Sequence, residues 1–166
     1  MVRYLSLVLI LSAGGAAAQD LQYSSDFTAA CVYAQPTLEG QKACIGRSAR
    51  ACMDATSMGS TTVGMGGCLS YEFEYWDTRL NAAYRTQVAK AKAWDVEMRK
   101  LGSSAESMED ALRSMQRSWI SWRDATCGFE RAQWGGGTGG GPATYTCLMR
   151  LTGEQALYLE TAQVGE

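Results

Sequence analysis

Two long stripes of apolar residues constrain this chain more than any other feature. Leu69, Phe73, Trp76, Leu80 and Ala83 recur at steps of 4, 3, 4 and 3, which places them on one face of a helix. The stripe continues, slightly rotated, through Val88, Ala91, Trp94, Met98 and Leu101, and Gly102-Ser103-Ser104 ends it. A second stripe, Met108, Leu112, Met115, Trp119, Trp122, Thr126 and Phe129, alternates steps of 4 and 3 throughout. The pattern predicts helices over 68–101 and 104–133, roughly 50 and 45 Å long. Ser103 to Glu106 and Ser107 to Asp110 both have the spacing of a helix-starting cap.

A tight Gly-Ser turn between two such helices folds them back as an antiparallel hairpin. Lys90, Lys92, Arg99 and Lys100 close the first helix, and Glu106, Glu109 and Asp110 open the second. Each set suits its helix dipole, and the two sets meet across the turn. A compact chain of this size has a radius of gyration of about 15 Å, so the first helix implies an elongated molecule or a bend. The fold class that follows is all-α: an elongated antiparallel helical hairpin with shorter flanking helices, stapled by disulfides.

The flanking segments are less regular. Residues 19–37 read as irregular, and Thr37-Leu38-Glu39 opens a helix expected to run to about residue 55. Residues 57–67 carry Gly59, Gly64, Gly66 and Gly67 and read as a loop. Residues 135–141 spell Gly-Gly-Gly-Thr-Gly-Gly-Gly. Pro142 then favours a fresh helix, expected to reach about residue 163 with a break near Thr152-Gly153.

The first 18 residues have the form of a cleavable export signal: Arg3, an apolar run from Tyr4 to Leu11, and Ala16-Ala17-Ala18 before Gln19. The remaining 19–166 suit one domain. That mature part has 14 basic and 17 acidic residues, which argues against nucleic acid as a partner. Nothing after the signal is apolar enough to span a membrane. The expected location is the periplasm or the medium.

Six cysteines, Cys31, Cys44, Cys52, Cys68, Cys127 and Cys147, read in an exported chain as three disulfides. Fifteen pairings are possible. If Cys44 and Cys52 share a helix, they lie roughly 12 Å apart, beyond the reach of a disulfide. The expected pairs are Cys31–Cys44, Cys52–Cys68 and Cys127–Cys147. No Cys-x-x-Cys and no histidine is present, so neither a zinc site nor a dithiol redox centre is expected.

The missing histidine also removes the commonest general base and every Ser-His or Cys-His arrangement. Glu72 and Glu74 read as solvated helix residues rather than a glycosidase pair. The glycine run lacks the Lys-Ser/Thr that closes a phosphate loop. No catalysis and no cofactor are expected.

The residues from Cys68 through Trp76-Asp77, Leu80-Asn81 and Tyr84 resemble a known family. So do Met115-Gln116-Arg117, Trp119-Ile120, Trp122-Arg123-Asp124 and Cys127, the glycine run after them, and Cys147-Leu-Met-Arg-Leu-Thr152. In order and spacing they are similar to the LprI-type lysozyme inhibitors, small exported bacterial domains, over about residues 52–160. The resemblance implies a helical, disulfide-bonded domain of the bacterial envelope whose partner is a lysozyme-type muramidase. Two features depart from the pattern: an N-terminal part with Cys31 and Cys44, and Gly153-Glu154-Gln155 where an arginine would follow the threonine.

The best candidate contact with a partner is the glycine run, because backbone without side chains approaches closely. Arg131, Trp134, Gly136, Gly137, Thr138 and Gly139 form this candidate set. Gly59 to Gly67 is a weaker candidate on the same logic. Trp76, Trp94, Trp119 and Trp122 are expected in the core. Trp134 either packs under the loop or anchors a partner. Asp77, Asn81, Arg123 and Asp124 are expected to form a partly buried polar network between the long helices. The alternative function is a non-catalytic envelope binding or scaffolding module with another protein partner.

Overall fold

The computed structural model describes residues 21–164; the expected export signal lies outside them. Its helices are α1 (Asp26–Ala34), α2 (Leu38–Lys42), α3 (Arg47–Ala55), α4 (Thr62–Lys100), α5 (Met108–Ala132) and α6 (Gly140–Thr161), with a 3-10 turn at Ser57–Ser60 before α4. No strand occurs among the described residues, and the fold is all-α.

The hairpin is present as α4 and α5, but neither is the other's main partner. α6 lies along both and fills the space between them. Trp76 is fully buried there with Leu80, Leu157 and Leu159. Gly153 makes this packing possible, since a Cβ at that position would crowd the Ile45 side chain and the Trp76 ring. α6 therefore runs unbroken through Thr152-Gly153, and the expected break is absent. Two contacts fix the register of α6 on α4. Arg79 holds Glu160 through two bonds of 2.9 and 2.5 Å. Gln87 Nε2 donates to the carbonyls of Leu159 and Ala162 at 2.6 and 3.2 Å, serving α6 as a C-cap borrowed from another helix.

α4 starts six residues earlier than the glycines suggested. Thr61 caps it, accepting from the Gly64 N–H at 3.0 Å. Gly64 lies against the Met58 carbonyl so closely that a Cβ would overlap it. Gly59 and Gly64 thus serve close backbone packing rather than a loop. With 39 residues, α4 is about 58 Å long.

The α5 stripe is only partly core. Trp122 is 54% and Phe129 68% exposed. A seven-residue repeat drifts by about 20° per heptad on a straight helix, and three heptads carry it off the covered face. That face carries Leu112, Gln116, Trp119 and Cys127, with Gln155 Nε2 donating to Gln116 Oε1 at 3.1 Å. At the hairpin tip the expected charge pairing reduces, among the described residues, to Lys92–Glu109 at 3.7 Å. Asp95 does more: its carboxylate accepts from the Ser107 hydroxyl (2.7 Å) and the Met108 and Glu109 amides (2.8 and 3.1 Å). This locks the start of α5 onto α4.

The N-terminal segment is more ordered than expected. α1 occupies part of 19–37, burying Thr28 and Val32 while Phe27 and Tyr33 face outward. The helix expected over 37–55 is split into α2 and α3 at Gly46, whose φ is 88°. Cys44 sits before that split and Cys52 after it, so the two share no helix. The disulfides are Cys31–Cys44, Cys52–Cys68 and Cys127–Cys147, with Cα separations of 5.7, 5.7 and 5.4 Å.

Glu72 is fully buried, contrary to the solvated role expected of it. Its Oε1 accepts from the Thr28 hydroxyl (2.8 Å), the Gly46 N–H (2.7 Å) and the Trp76 indole N–H (3.2 Å). Its Oε2 accepts from the Ala49 N–H at 2.6 Å. The carboxylate of α4 thereby caps the N-terminus of α3 and holds α1 beside it.

Candidate functional site

After α5 the chain reverses on glycine. The Trp134, Gly135 and Gly137 N–H groups donate to the carbonyls of Arg131, Ala132 and Trp134 at 3.1, 3.1 and 2.8 Å. Gly135 and Gly136 have φ of 53° and 86°, the left-handed region that only glycine occupies cheaply. The reversal sends α6 back along α5, and Cys127–Cys147 ties the two helices just beyond it.

This turn meets the first turns of α4 across a groove of about 600 Å³. Gly66, Gly67 and Ser70 line one wall, and Arg131, Gly136, Gly137 and Thr138 the other, with Val63 and Tyr145 as the apolar surface. The two glycine-bearing segments, far apart in sequence, thus share one site. No heavy atom stands within 4 Å of where a Cβ would project from Gly66, Gly136 or Gly141, so the backbone of both walls is open to a visitor.

Among the described residues Arg131 is the sole charged residue lining the groove. It is exposed, and its guanidinium donates to the Thr144 hydroxyl at 3.5 Å. The N-termini of α4 and α6 also converge here, and α6 has no side-chain cap. Both helix ends contribute partial positive charge. The groove is therefore an electropositive notch in a chain of net charge -2, suited to carboxylates.

Of the candidate residues, Arg131, Gly136, Gly137 and Thr138 come together in the groove. Trp134 and Gly139 do not line it; they stack on each other so tightly that a Cβ on Gly139 would overlap the indole ring. Trp134 both packs under the loop and remains 54% exposed. Val63 falls within the weaker candidate segment 59–67, whereas Ser70 and Tyr145 lie outside both candidate segments. Val63 is 80% exposed and shares a helical face with Gly66, Gly67 and Ser70. That signal is readable only once 62–67 is known to be helical.

The expected polar network does not form as one unit. Asn81 Nδ2 donates to Asp77 Oδ2 and to the Asp77 carbonyl, both at 2.9 Å, on the outer side of α4. Arg123 pairs with Asp124 at 2.8 Å on α5. Among the described residues no hydrogen bond or ion pair joins the two groups. Four residues along one helix bring Asp77 and Asn81 to each other rather than to α5. Arg123 instead lies over the Trp119 ring, 5.0 Å from its centroid, and donates to the Thr152 hydroxyl of α6 at 3.4 Å.

Among the described residues no three His, Cys, Asp or Glu groups converge as a metal site, and no helix is long and apolar enough to cross a membrane.

A family model described as "Lysozyme inhibitor LprI" matches residues 52–159. The chain is 31% identical to the uncharacterized 17.7 kDa protein in the puhA 5′ region of Rhodobacter capsulatus, over 99% of this chain and 100% of that one. That alignment includes the N-terminal segment that the family model leaves out. An uncharacterized protein of Rhizobium meliloti (strain 1021) is 29% identical over 56% of this chain and 67% of its own. No solved structure matches.

Proposed function

The chain belongs to the LprI family of lysozyme inhibitors, and on that premise we propose that it binds a lysozyme-type muramidase and blocks its active-site cleft. It acts in the periplasm or after secretion, where three disulfides persist. It is an inhibitor and not a catalyst.

One observation carries the proposed mode of binding: two glycine-bearing walls enclose a groove whose lone charged residue, among those described, is a cation. Lysozyme-type clefts contain an acid carboxyl and a second carboxylate. A rim of bare backbone can enter such a cleft, bringing Arg131 and helix N-terminal N–H groups to those oxygens. Val63 and Tyr145 supply apolar contact beside them.

The test is the clearing of a peptidoglycan suspension by lysozyme, with and without purified protein. Loss of clearing at micromolar protein supports inhibition; unimpaired clearing at a large molar excess refutes it. Arg131→Glu should weaken inhibition by about tenfold or more, the scale of a central charged contact. Deleting 136–140 should abolish it. Inhibition unchanged in both variants would place the contact elsewhere on the molecule.

A further inference from the structure

Contact with a muramidase uses the rim of the groove and gives its interior no role. That interior, about 600 Å³, is of the size that holds a small molecule. Its lining is one-sided in charge: among the described residues Arg131 is the lone cation and no carboxylate joins it. The Arg131 guanidinium makes one hydrogen bond among the described residues, the long one to Thr144. Thr62, Thr138 and Tyr145 also line the groove, and their hydroxyls bond to no other described residue. Apolar surface adjoins them. Val63 is 80% exposed, and the Tyr145 ring is braced by Phe73, with centroids 6.4 Å apart.

We propose that the groove binds an N-acetylated amino sugar carrying a carboxylate, the kind of fragment that cleavage of peptidoglycan releases, and that a fragment seated there excludes the muramidase. Each part of such a ligand has a counterpart in the lining. The carboxylate meets Arg131 in a charge-assisted hydrogen bond. The sugar hydroxyls and the acetamide oxygen meet protein hydroxyls, which both donate and accept. The acetyl methyl and the C–H face of the sugar ring meet Val63 and the Tyr145 ring, an apolar body with a polar tip. A bare anion would match Arg131 alone and leave most of the groove to water. A neutral sugar would leave the cation without a partner.

The identity of the sugar rests on the inhibitor reading, because a muramidase makes fragments of this kind; the site itself does not. Enzyme and fragment both need Arg131, so each weakens the hold on the other by the same factor. The inhibitor then lets go of its enzyme where much glycan has been cut. An open groove with one exposed cation holds such a ligand weakly, in the millimolar range, and more weakly as salt rises.

Titration of the mature, oxidised protein with N-acetylmuramic acid at neutral pH, followed by NMR, tests this; the same spectra confirm the fold of each variant. The expected result is saturable shifts of the Gly66 and Thr138 amides and of Arg131 Nε, complete by about 20 mM. N-Acetylglucosamine, which lacks the carboxylate, and lactate, which lacks the sugar, should each bind at least about tenfold more weakly. Arg131→Gln should bring N-acetylmuramic acid to within about twofold of N-acetylglucosamine. Shifts that fail to saturate by that concentration overturn the proposal. So does N-acetylglucosamine or lactate binding as tightly, or an Arg131→Gln protein that still favours the acid. Saturating N-acetylmuramic acid should also restore clearing by the inhibited lysozyme, measured against lysozyme with the sugar alone. Clearing still blocked while the sugar is bound overturns the exclusion of the enzyme. A protein that binds the sugar but never blocks clearing supports the site and refutes the inhibitor reading.

Discussion

Replacing Glu72 by glutamine should cost this protein about 3 kcal/mol. The carboxylate is fully buried and accepts from four donors. Glutamine keeps the shape and one oxygen. Placed at Oε1, that oxygen still serves Thr28, Gly46 and Trp76, but the new amide NH2 then faces the Ala49 N–H, which approached Oε2 at 2.6 Å. One charge-assisted bond is lost, worth about 1.5–3 kcal/mol, and a buried donor is left opposing another, at about 1–3 kcal/mol. Relief from burying a charge offsets part of this. The opposite rotamer is worse, since it turns three donors against the NH2. Glu72→Ala removes every acceptor and leaves a cavity, so it should cost more, a large share of a typical 5–15 kcal/mol stability. Urea unfolding followed by circular dichroism gives the number, provided the slope is unchanged. A Glu72→Gln protein within about 0.5 kcal/mol of the parent would refute the assignment of this carboxylate as the cap of α3.

Three further outcomes are expected. The Ser107 hydroxyl, and after it the Met108 and Glu109 amides, hold the Asp95 carboxyl below the usual carboxylate range. A carboxyl depressed in the folded state stabilises it above the unfolded value, near pH 4, and that contribution is lost as pH falls through the folded value. Exchange protection of the Met108 and Glu109 amides should therefore fall with acidification below about pH 4, and Asp95→Asn should show reduced protection already at pH 7. Gly64→Ala should lower the melting temperature although alanine is the better helix former by about 1 kcal/mol, because its Cβ would overlap the Met58 carbonyl; a gain in stability would refute the close-approach reading. Replacing Cys127 and Cys147 together by alanine opens a separation of 20 residues and should cost about 3 kcal/mol in the chain-entropy picture, measurable by urea unfolding against the oxidised parent.

What the sequence made legible was local and periodic. The α4 stripe around Trp76 and Leu80, the Ser107 cap and the hairpin turn all follow from residues within a few positions of one another. What it concealed was tertiary. Glu72 reads as solvated because its donors at Thr28, Gly46 and Ala49 lie 44, 26 and 23 residues away. The glycines before Cys68 read as a loop because their helical role depends on backbone at Met53 and Met58 pressing against Gly59 and Gly64. At the groove, Arg131, Gly136, Gly137 and Thr138 were readable as one segment. That Gly66 and Gly67 form the facing wall depends on where α6 and its disulfide bring α5, and no local pattern encodes that.

The placement of the staples divides the molecule unevenly. Cys68 and Cys127 adjoin the glycine-lined walls, and residues 69–126 contain no cysteine. Heat or proteolysis can therefore fray the rod from the Gly102 tip, held only by side-chain contacts such as those of Asp95, while covalent bonds keep the opposite end in shape. A partner that grips that end meets a surface prepared in advance, and little of its binding energy is spent on ordering it.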